Sequence, residues 1–217
     1  MSQTRENSQG MPKVEVPRKS IYRLSIYQRS LLKLIENNVE TVSSEALASA
    51  AGVKSTQLRK DLTYFGQFGT RGLGYNVKAL SRVLNDVLGT TSYQPVILVG
   101  VGNLGSALLR YKGFNKEGFE ITAAFDLAPT RERRTEGARV PVYSANTMAD
   151  FIRNHQVRMA IIAVPSEAAQ NVVNELVEAG VQAILNFSPT VLQVPENVTV
   201  NNVDLALELE NLSYFIR

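Results

Sequence analysis

Apolar residues recur along this chain in two rhythms, and the change between them comes near residue 90. Up to about residue 18 the chain is polar, with Pro12 and Pro17, which predicts an extended arm. Ile21, Leu24, Ile26, Leu31, Leu32, Leu34 and Ile35 then fall at mostly helical spacing until Asn37-Asn38 supplies a stop. Ser43-Ser44 suits the cap of a short second helix carrying Ala46, Leu47, Ala50 and Ala51, closed by Gly52. In Lys54 to Phe65, Leu58, Leu62 and Phe65 stand at i, i+4 and i+7, one inward stripe of a third helix. GQFGTRGLGY, with Gly66, Gly69, Gly72 and Gly74, suits a tight hairpin, and Val77 to Leu88 is helical again. Gly89-Thr90-Thr91-Ser92 reads as a linker.

From Tyr93 the pattern becomes short apolar runs: Val96 to Val99, Ile121 to Phe125, Met159 to Val164 and Ala183 to Leu185. Helical segments separate them near Leu104 to Lys112, Ser144 to Asn154 and Ser166 to Ala179. Continuous apolar runs are strands covered on both faces, so the alternation predicts an α/β unit, a Rossmann-like doubly wound parallel sheet. The expected organisation is an arm (1–18), a helical domain (19–89), an α/β domain (90–200) and a closing helix (201–217).

Composition narrows the chemistry. Of 217 residues none is Cys and one is His, which excludes disulfides, thiolate zinc sites and cysteine nucleophiles, and leaves little for a histidine metal site. No apolar stretch nears the roughly 20 residues of a membrane span, and no signal-peptide core opens the chain, so a cytoplasmic protein with no metal and no membrane is expected. The net charge of +3 is unevenly spread. Residues 1–90 hold 13 Lys+Arg against 7 Asp+Glu, leaving 10 against 13 for residues 91–217. A basic first unit beside a mildly acidic second one fits a polyanion partner for the first.

VGVGNLG contains a GxGxxG that directly follows the strand Val96 to Val99 and opens the helix from Leu104, with Asp126 ending the next strand. Gly100 permits the tight turn, Gly102 lets a pyrophosphate approach the backbone, and Gly105 lets helix and strand pack closely. With Val101, Asn103 and Leu104 these form the expected phosphate cradle at the positive end of a helix. Asp126 suits the ribose hydroxyls and repels a 2′-phosphate, favouring NAD(H), although Arg131, Arg133 and Arg134 lie close in sequence. Ligands in such sheets sit beyond the carboxyl ends of strands, so Val164-Pro165 and Phe187-Ser188-Pro189 are expected to flank the nicotinamide. Phe187, Val164 and Pro165 are apolar, and an apolar pocket disfavours the positive charge of oxidised nicotinamide.

SSEALASAAGVKSTQLRKDLTYFG reads as helix, glycine turn, helix, with the glycine-rich hairpin after it as a wing. The winged-helix DNA-binding domain so predicted presents Lys54, Ser55, Thr56, Gln57, Arg59, Lys60, Thr63 and Tyr64 along its second helix, residue types that donate to base edges or phosphates. Arg71 at the wing tip is expected to reach a minor groove.

RKDLTYFGQFGTRGLGY, VGVGNLG, SALLRYKGF, LNFSP and NVDLALELENLSYFIR together closely resemble the bacterial redox-sensing transcriptional repressors of the Rex family, over nearly everything from Ile21 to Arg217. The resemblance implies a homodimeric repressor whose affinity for operator DNA falls when NADH binds, and which NAD+ leaves able to bind. NADH and NAD+ are then sensed ligands and not redox substrates. It also implies that the closing helix, whose Leu205, Leu209, Leu212 and Phe215 or Ile216 form an apolar stripe, is exchanged between subunits. A palindromic double-stranded operator with half-sites one helical turn apart, ~34 Å, or a multiple of it, follows from a two-fold dimer. By the same resemblance Arg29, Tyr111 and Asp204 form an allosteric switch in which Asp204 pairs with either of the other two and Tyr111 lies by the cofactor.

Catalysis is not expected. His155 precedes the strand from Met159 and so lies at the amino end of the sheet, opposite the cofactor. Tyr111 and Lys112 are adjacent on the predicted helix and point apart. No residues remain for a substrate domain. An NAD-dependent oxidoreductase with a helical appendage and a CoA- or nucleotide-binding interaction module stay open as alternatives on the residues alone.

Overall fold

The computed structural model describes residues 16–69, 73–128 and 140–216. The arm up to residue 15, Arg71, and Arg131, Arg133 and Arg134 lie outside the described residues. The chain divides into two compact units, Met1–Thr91 and Ser92–Arg217.

In the first unit α1 (Arg18–Glu36) starts behind Pro17, whose carbonyl accepts from Ser20 N at 2.8 Å. Leu24, Tyr27 and Leu31 turn one stripe of α1 into a core with Leu47 of α2 (Ser44–Ala50), Leu58 and Leu62 of α3 (Ser55–Thr63), and Leu80 and Leu84 of α4 (Val77–Leu88). Ser43 caps α2 by accepting from Ala46 N, and Gly52 follows it at φ +68. α1 and α4 are joined by polar bonds as well: Gln28 Nε2 donates to Ser81 Oγ and Asn85 Oδ1, both at 2.9 Å.

The two ends of the glycine-rich segment lie close together, as a Cβ on Gly69 would be 2.7 Å from the Gly74 carbonyl, and residues 70–72 between them lie outside the described residues. Among the described residues, β2 (Tyr75–Asn76), which follows the glycines, pairs antiparallel with β1 (Thr41–Val42), the strand between α1 and α2. Gly74 permits this at φ +79, since a Cβ there would collide with the Val42 carbonyl.

The second unit is a six-stranded parallel sheet: β3 (Gln94–Val99), β4 (Phe119–Asp126), β5 (Val142–Ser144), β6 (Met159–Ile162), β7 (Ala183–Asn186) and β8 (Thr199–Asn202). The order is β5-β4-β3-β6-β7-β8, so the chain reverses direction across the sheet between β3 and β6. Alternate residues of β3 serve opposite faces. Val96 and Leu98 pack with Leu108, Leu109 and Phe114 of α5 (Asn103–Arg110) and α6 (Gly113–Lys116). Ile97 and Val99 pack with Met148 and Ile152 of α7 (Met148–His155) and Val173 and Leu176 of α8 (Ser166–Ala179).

Four boundaries correct the sequence reading, the first being the closing helix expected from residue 201, which starts at Leu205 because Asn201 and Asn202 belong to β8. The helix expected from Ser144 begins at Met148 after a 3₁₀ turn, because Val142–Ser144 pairs with Ala124–Asp126 as an edge strand. β6 stops at Ile162 rather than Val164, where Pro165 leads into α8. Helix α5 stops at Arg110: Tyr111 is extended, at ψ 106, so Tyr111 and Lys112 are not neighbours on one helix.

Candidate functional site

The nucleotide motif sits at the reversal point of the sheet. Gly100, at φ +94, follows β3 with its backbone so close to β6 that a Cβ would lie 2.5 Å from the Ala163 carbonyl and 2.9 Å from Val164 Cγ1. A Cβ on Gly105 would strike the Gly100 carbonyl, so helix α5 rests on the loop's own backbone. Over Gly102 a Cβ would meet nothing within 4 Å. That open space adjoins the start of α5, which has no side-chain cap, leaving the first helical amides to a ligand. An anionic pyrophosphate fits such a cradle.

Asp126 is already engaged. Its Oδ2 accepts from Val101 N at 2.8 Å and its Oδ1 from Ala128 N at 3.0 Å. The carboxylate therefore fastens the glycine loop to the end of β4, and a ribose would share it through its remaining lone pairs. Val164 and Ser188 come together across the ends of β6 and β7, since Ser188 Oγ donates to the Val164 carbonyl. Phe187 is half-buried against the α5 side of the sheet, while Pro165 and Pro189 are exposed. His155 lies at the other end of the sheet, exposed, with its ring stacked 4.0 Å from that of Phe151. Among the described residues no group of three or more His, Cys, Asp or Glu is placed to hold a metal.

On α3, Thr56, Lys60 and Thr63 are exposed, as are Lys54 at its start and Arg59. Arg59 donates to Glu45 Oε1 at 2.9 Å and to Ser55 Oγ at 3.1 Å. Exposed pairs of this kind are worth about 0 to 1 kcal/mol, so a phosphate can displace the glutamate at little cost. Tyr64 is half-buried beside Phe65. Gln57 departs from the outward disposition predicted for it: it is half-buried, and its Nε2 donates to Asp61 Oδ1 at 3.0 Å.

Asp61 is the feature that sequence reading missed. Its side chain is wholly buried, and Arg23 of α1 grips it with Nε at 2.6 Å and Nη2 at 2.7 Å. Tyr27 OH adds a third bond at 2.7 Å. Burial alone would push this carboxyl up, but the bonds from Arg23, Tyr27, Ser20 and Gln57 outweigh it and hold it at about 2. Burial and Asp61 push the Tyr27 hydroxyl up, so it keeps its proton. Helix α3 is thus fixed to α1 by an ion pair whose carboxylate is buried and whose guanidinium is partly exposed.

Comparison with known proteins supplies the family. Residues 91–190 match the family described as CoA binding domain, and residues 15–63 match Putative DNA-binding protein N-terminus. A redox-sensing transcriptional repressor Rex from Pelotomaculum thermopropionicum is 48% identical over 94% of this chain and 95% of its own. The chain belongs to the Rex family of transcriptional repressors. A Rex-family repressor, RSP, has been solved with β-NAD+ and operator DNA; it superposes with a TM-score of 0.85 at 38% identity, over 94% of each chain. The same repressor with β-NADH gives a TM-score of 0.80 at 36% identity, over 94% of this chain and 95% of that one.

The residues that the Rex resemblance assigns to a switch fall in both units. Arg29 is exposed on α1. Tyr111 is exposed in the break after α5, its ring edge-on to Phe114 at 5.0 Å. Asp204 caps α9 (Leu205–Ser213), accepting from Ala206 N at 3.0 Å and Leu207 N at 3.1 Å. No residue of α9 is buried, and Leu205, Leu207, Leu209, Leu212, Phe215 and Ile216 are all exposed.

Proposed function

We infer that this chain is a DNA-binding transcriptional repressor that senses the cellular NADH/NAD+ balance, binding the nucleotide without transforming it. The observation that carries the reading is one chain holding both an uncapped, glycine-lined helix start at a sheet reversal point and a basic helix-turn-helix unit. Gly100, Val101, Gly102, Asn103, Leu104 and Gly105 hold the pyrophosphate. Asp126 shares a ribose, and Val164, Pro165, Phe187, Ser188 and Pro189 surround the nicotinamide with mainly apolar contacts that favour its uncharged, reduced form. Lys54, Ser55, Thr56, Arg59, Lys60, Thr63 and Tyr64 contact DNA, as does Arg71 of the wing, while Gln57 stays with Asp61.

The assembly is a homodimer in the cytoplasm on a palindromic operator. Helix α9 carries exposed leucines on two opposite sides, Leu205, Leu209 and Leu212 on one and Leu207 on the other, and such a helix belongs between two surfaces. Exchange of α9 into the partner, between its two units, gives it both. Asp204 then chooses between capping its own helix and pairing with Arg29 or Tyr111. A cap is worth about 1 kcal/mol and a bond to a charged partner about 1.5 to 3 kcal/mol, so the contest is close enough to be tipped by a ligand.

Titrating a palindromic duplex with the protein in rising salt, with and without NADH, tests the reading. Salt-dependent binding that NADH weakens and NAD+ spares is expected; binding indifferent to both nucleotides would overturn it. Lys60→Ala should lower the salt slope by about 2 units, about 1 for each protomer, and an unchanged slope would remove Lys60 from the interface. Gly105→Ala should weaken NADH binding at least about tenfold in calorimetry, because the loop must move to clear the Gly100 carbonyl.

A further inference from the structure

Asn186 ends β7 with its side chain wholly buried, at the close of the run Ala183-Ile184-Leu185. A buried carboxamide is costly unless bonded, and this one is bonded in two directions. Toward the nucleotide side, Asn186 Oδ1 accepts from Ser188 N at 2.9 Å, and Nδ2 donates to the Ser188 carbonyl at 3.0 Å and more weakly to that of Thr190 at 3.3 Å. Toward the edge of the sheet, Nδ2 donates to Asn202 Oδ1 at 2.9 Å, and the Asn186 carbonyl accepts from Val203 N at 2.8 Å. Asn186 and Asn202 are register partners in the β7–β8 ladder. Asn202 stands two residues before Asp204, the cap of α9.

The bonds to Ser188 make a turn and would do so alone. The bond to Asn202 is not needed for that turn, nor by Asn202, which is exposed and could give its carbonyl oxygen to water. Nδ2 has only two hydrogens, so a shift of the Ser188 loop competes directly with the Asn202 bond. We propose that Asn186 and Asn202 are positioning residues, a relay by which the loop Phe187–Pro189 sets the direction in which α9 leaves the sheet. The relay rests on the function proposed above and names the path inside one protomer from cofactor to exchanged helix.

The test reads coupling apart from affinity. For the full-length protein, the ratio of duplex Kd with saturating NADH to duplex Kd without it is measured for the unsubstituted chain, Asn202→Ala and Asn202→Asp. Asn202→Ala should shrink this ratio about fivefold while NADH affinity without DNA and duplex affinity without NADH each change less than about twofold. Asn202→Asp, which keeps an oxygen toward Nδ2, should restore it. An unaltered ratio in Asn202→Ala, an equal loss in Asn202→Asp, or a fall in both affinities at constant ratio overturns the relay. A ratio of one in the unsubstituted protein overturns the sensor reading itself, and the relay with it.

Discussion

Replacing Arg23 with methionine is expected to lower the stability of the first unit by about 3 to 5 kcal/mol, the usual cost of leaving one member of a buried ion pair alone. Asp61 would keep only Tyr27, Gln57 and Ser20, with none to balance its charge. For a unit of this size that is a fall in melting temperature of roughly 12 °C or more. The pH dependence distinguishes this from a packing defect. In the unsubstituted protein the Asp61 carboxyl sits at about 2, below the roughly 3.9 of an unfolded aspartate, so its contribution is complete above pH 4 and is lost as pH falls toward 2. Without Arg23 the largest influence holding the carboxyl down is gone, so its folded value moves up toward the unfolded one and the variant loses less stability on acidification. The difference between the two proteins should therefore narrow from pH 6 to pH 2 in thermal unfolding. A constant difference would mean that methionine merely packs badly, and a negligible one that the pair is dispensable.

Ending the chain after Val203 should have an effect as large on assembly. Full burial of a leucine, isoleucine or phenylalanine side chain is worth about 1.5 to 3 kcal/mol, and α9 with the turn after it offers several that nothing in its own unit covers. Two such helices exchanged in a dimer far outweigh what a surface ion pair gives, even after the cost of association. The shortened chain is expected to sediment as a monomer. Its affinity for a palindromic duplex should drop at least about 100-fold, as the second DNA-binding unit no longer benefits from the first. Its NADH site, built from strand ends and α5, should survive. A shortened chain that remains dimeric would place the subunit interface elsewhere.

How much of this was legible beforehand follows from where each signal lives. The bounds of α4 and α8 follow from local rules, helical spacing closed by Gly89 and Gly180 in left-handed conformation. The four central strands show as unbroken apolar runs because both their faces are covered. Both edge strands escape that signal: Val142–Ser144 is only three residues long and Thr199–Asn202 is largely polar, and only their neighbours in the sheet make them strands. The glycine motif and Asp126 were readable, but the bond from Val101 N to Asp126, 25 residues away, was not.

The DNA-binding face shows the same limit more sharply. Asp61 lies three residues after Leu58 and directly before Leu62, so helical spacing already put a carboxylate on the inward stripe, and Arg23 and Tyr27 stand four apart on α1. Reading that stripe for charge as well as for apolar residues would have found a buried acid in need of a partner. Which partner depends on helix packing across 34 to 38 residues, whereas the inward turn of Gln57 is made within α3, toward an acid four residues on.

The homodimer proposed above would sense by geometry, with cofactor in its two sheets altering how far apart the two basic units stand. The chain has no cysteine, so Ser49→Cys on the exposed side of α2 supplies one unique labelling point per protomer. Spin-label distances across the dimer should show one separation without nucleotide or with NAD+, compatible with half-sites ~34 Å apart or a multiple of that, and a clearly different one with saturating NADH. The same distance distribution in all three conditions would contradict mechanical gating by NADH.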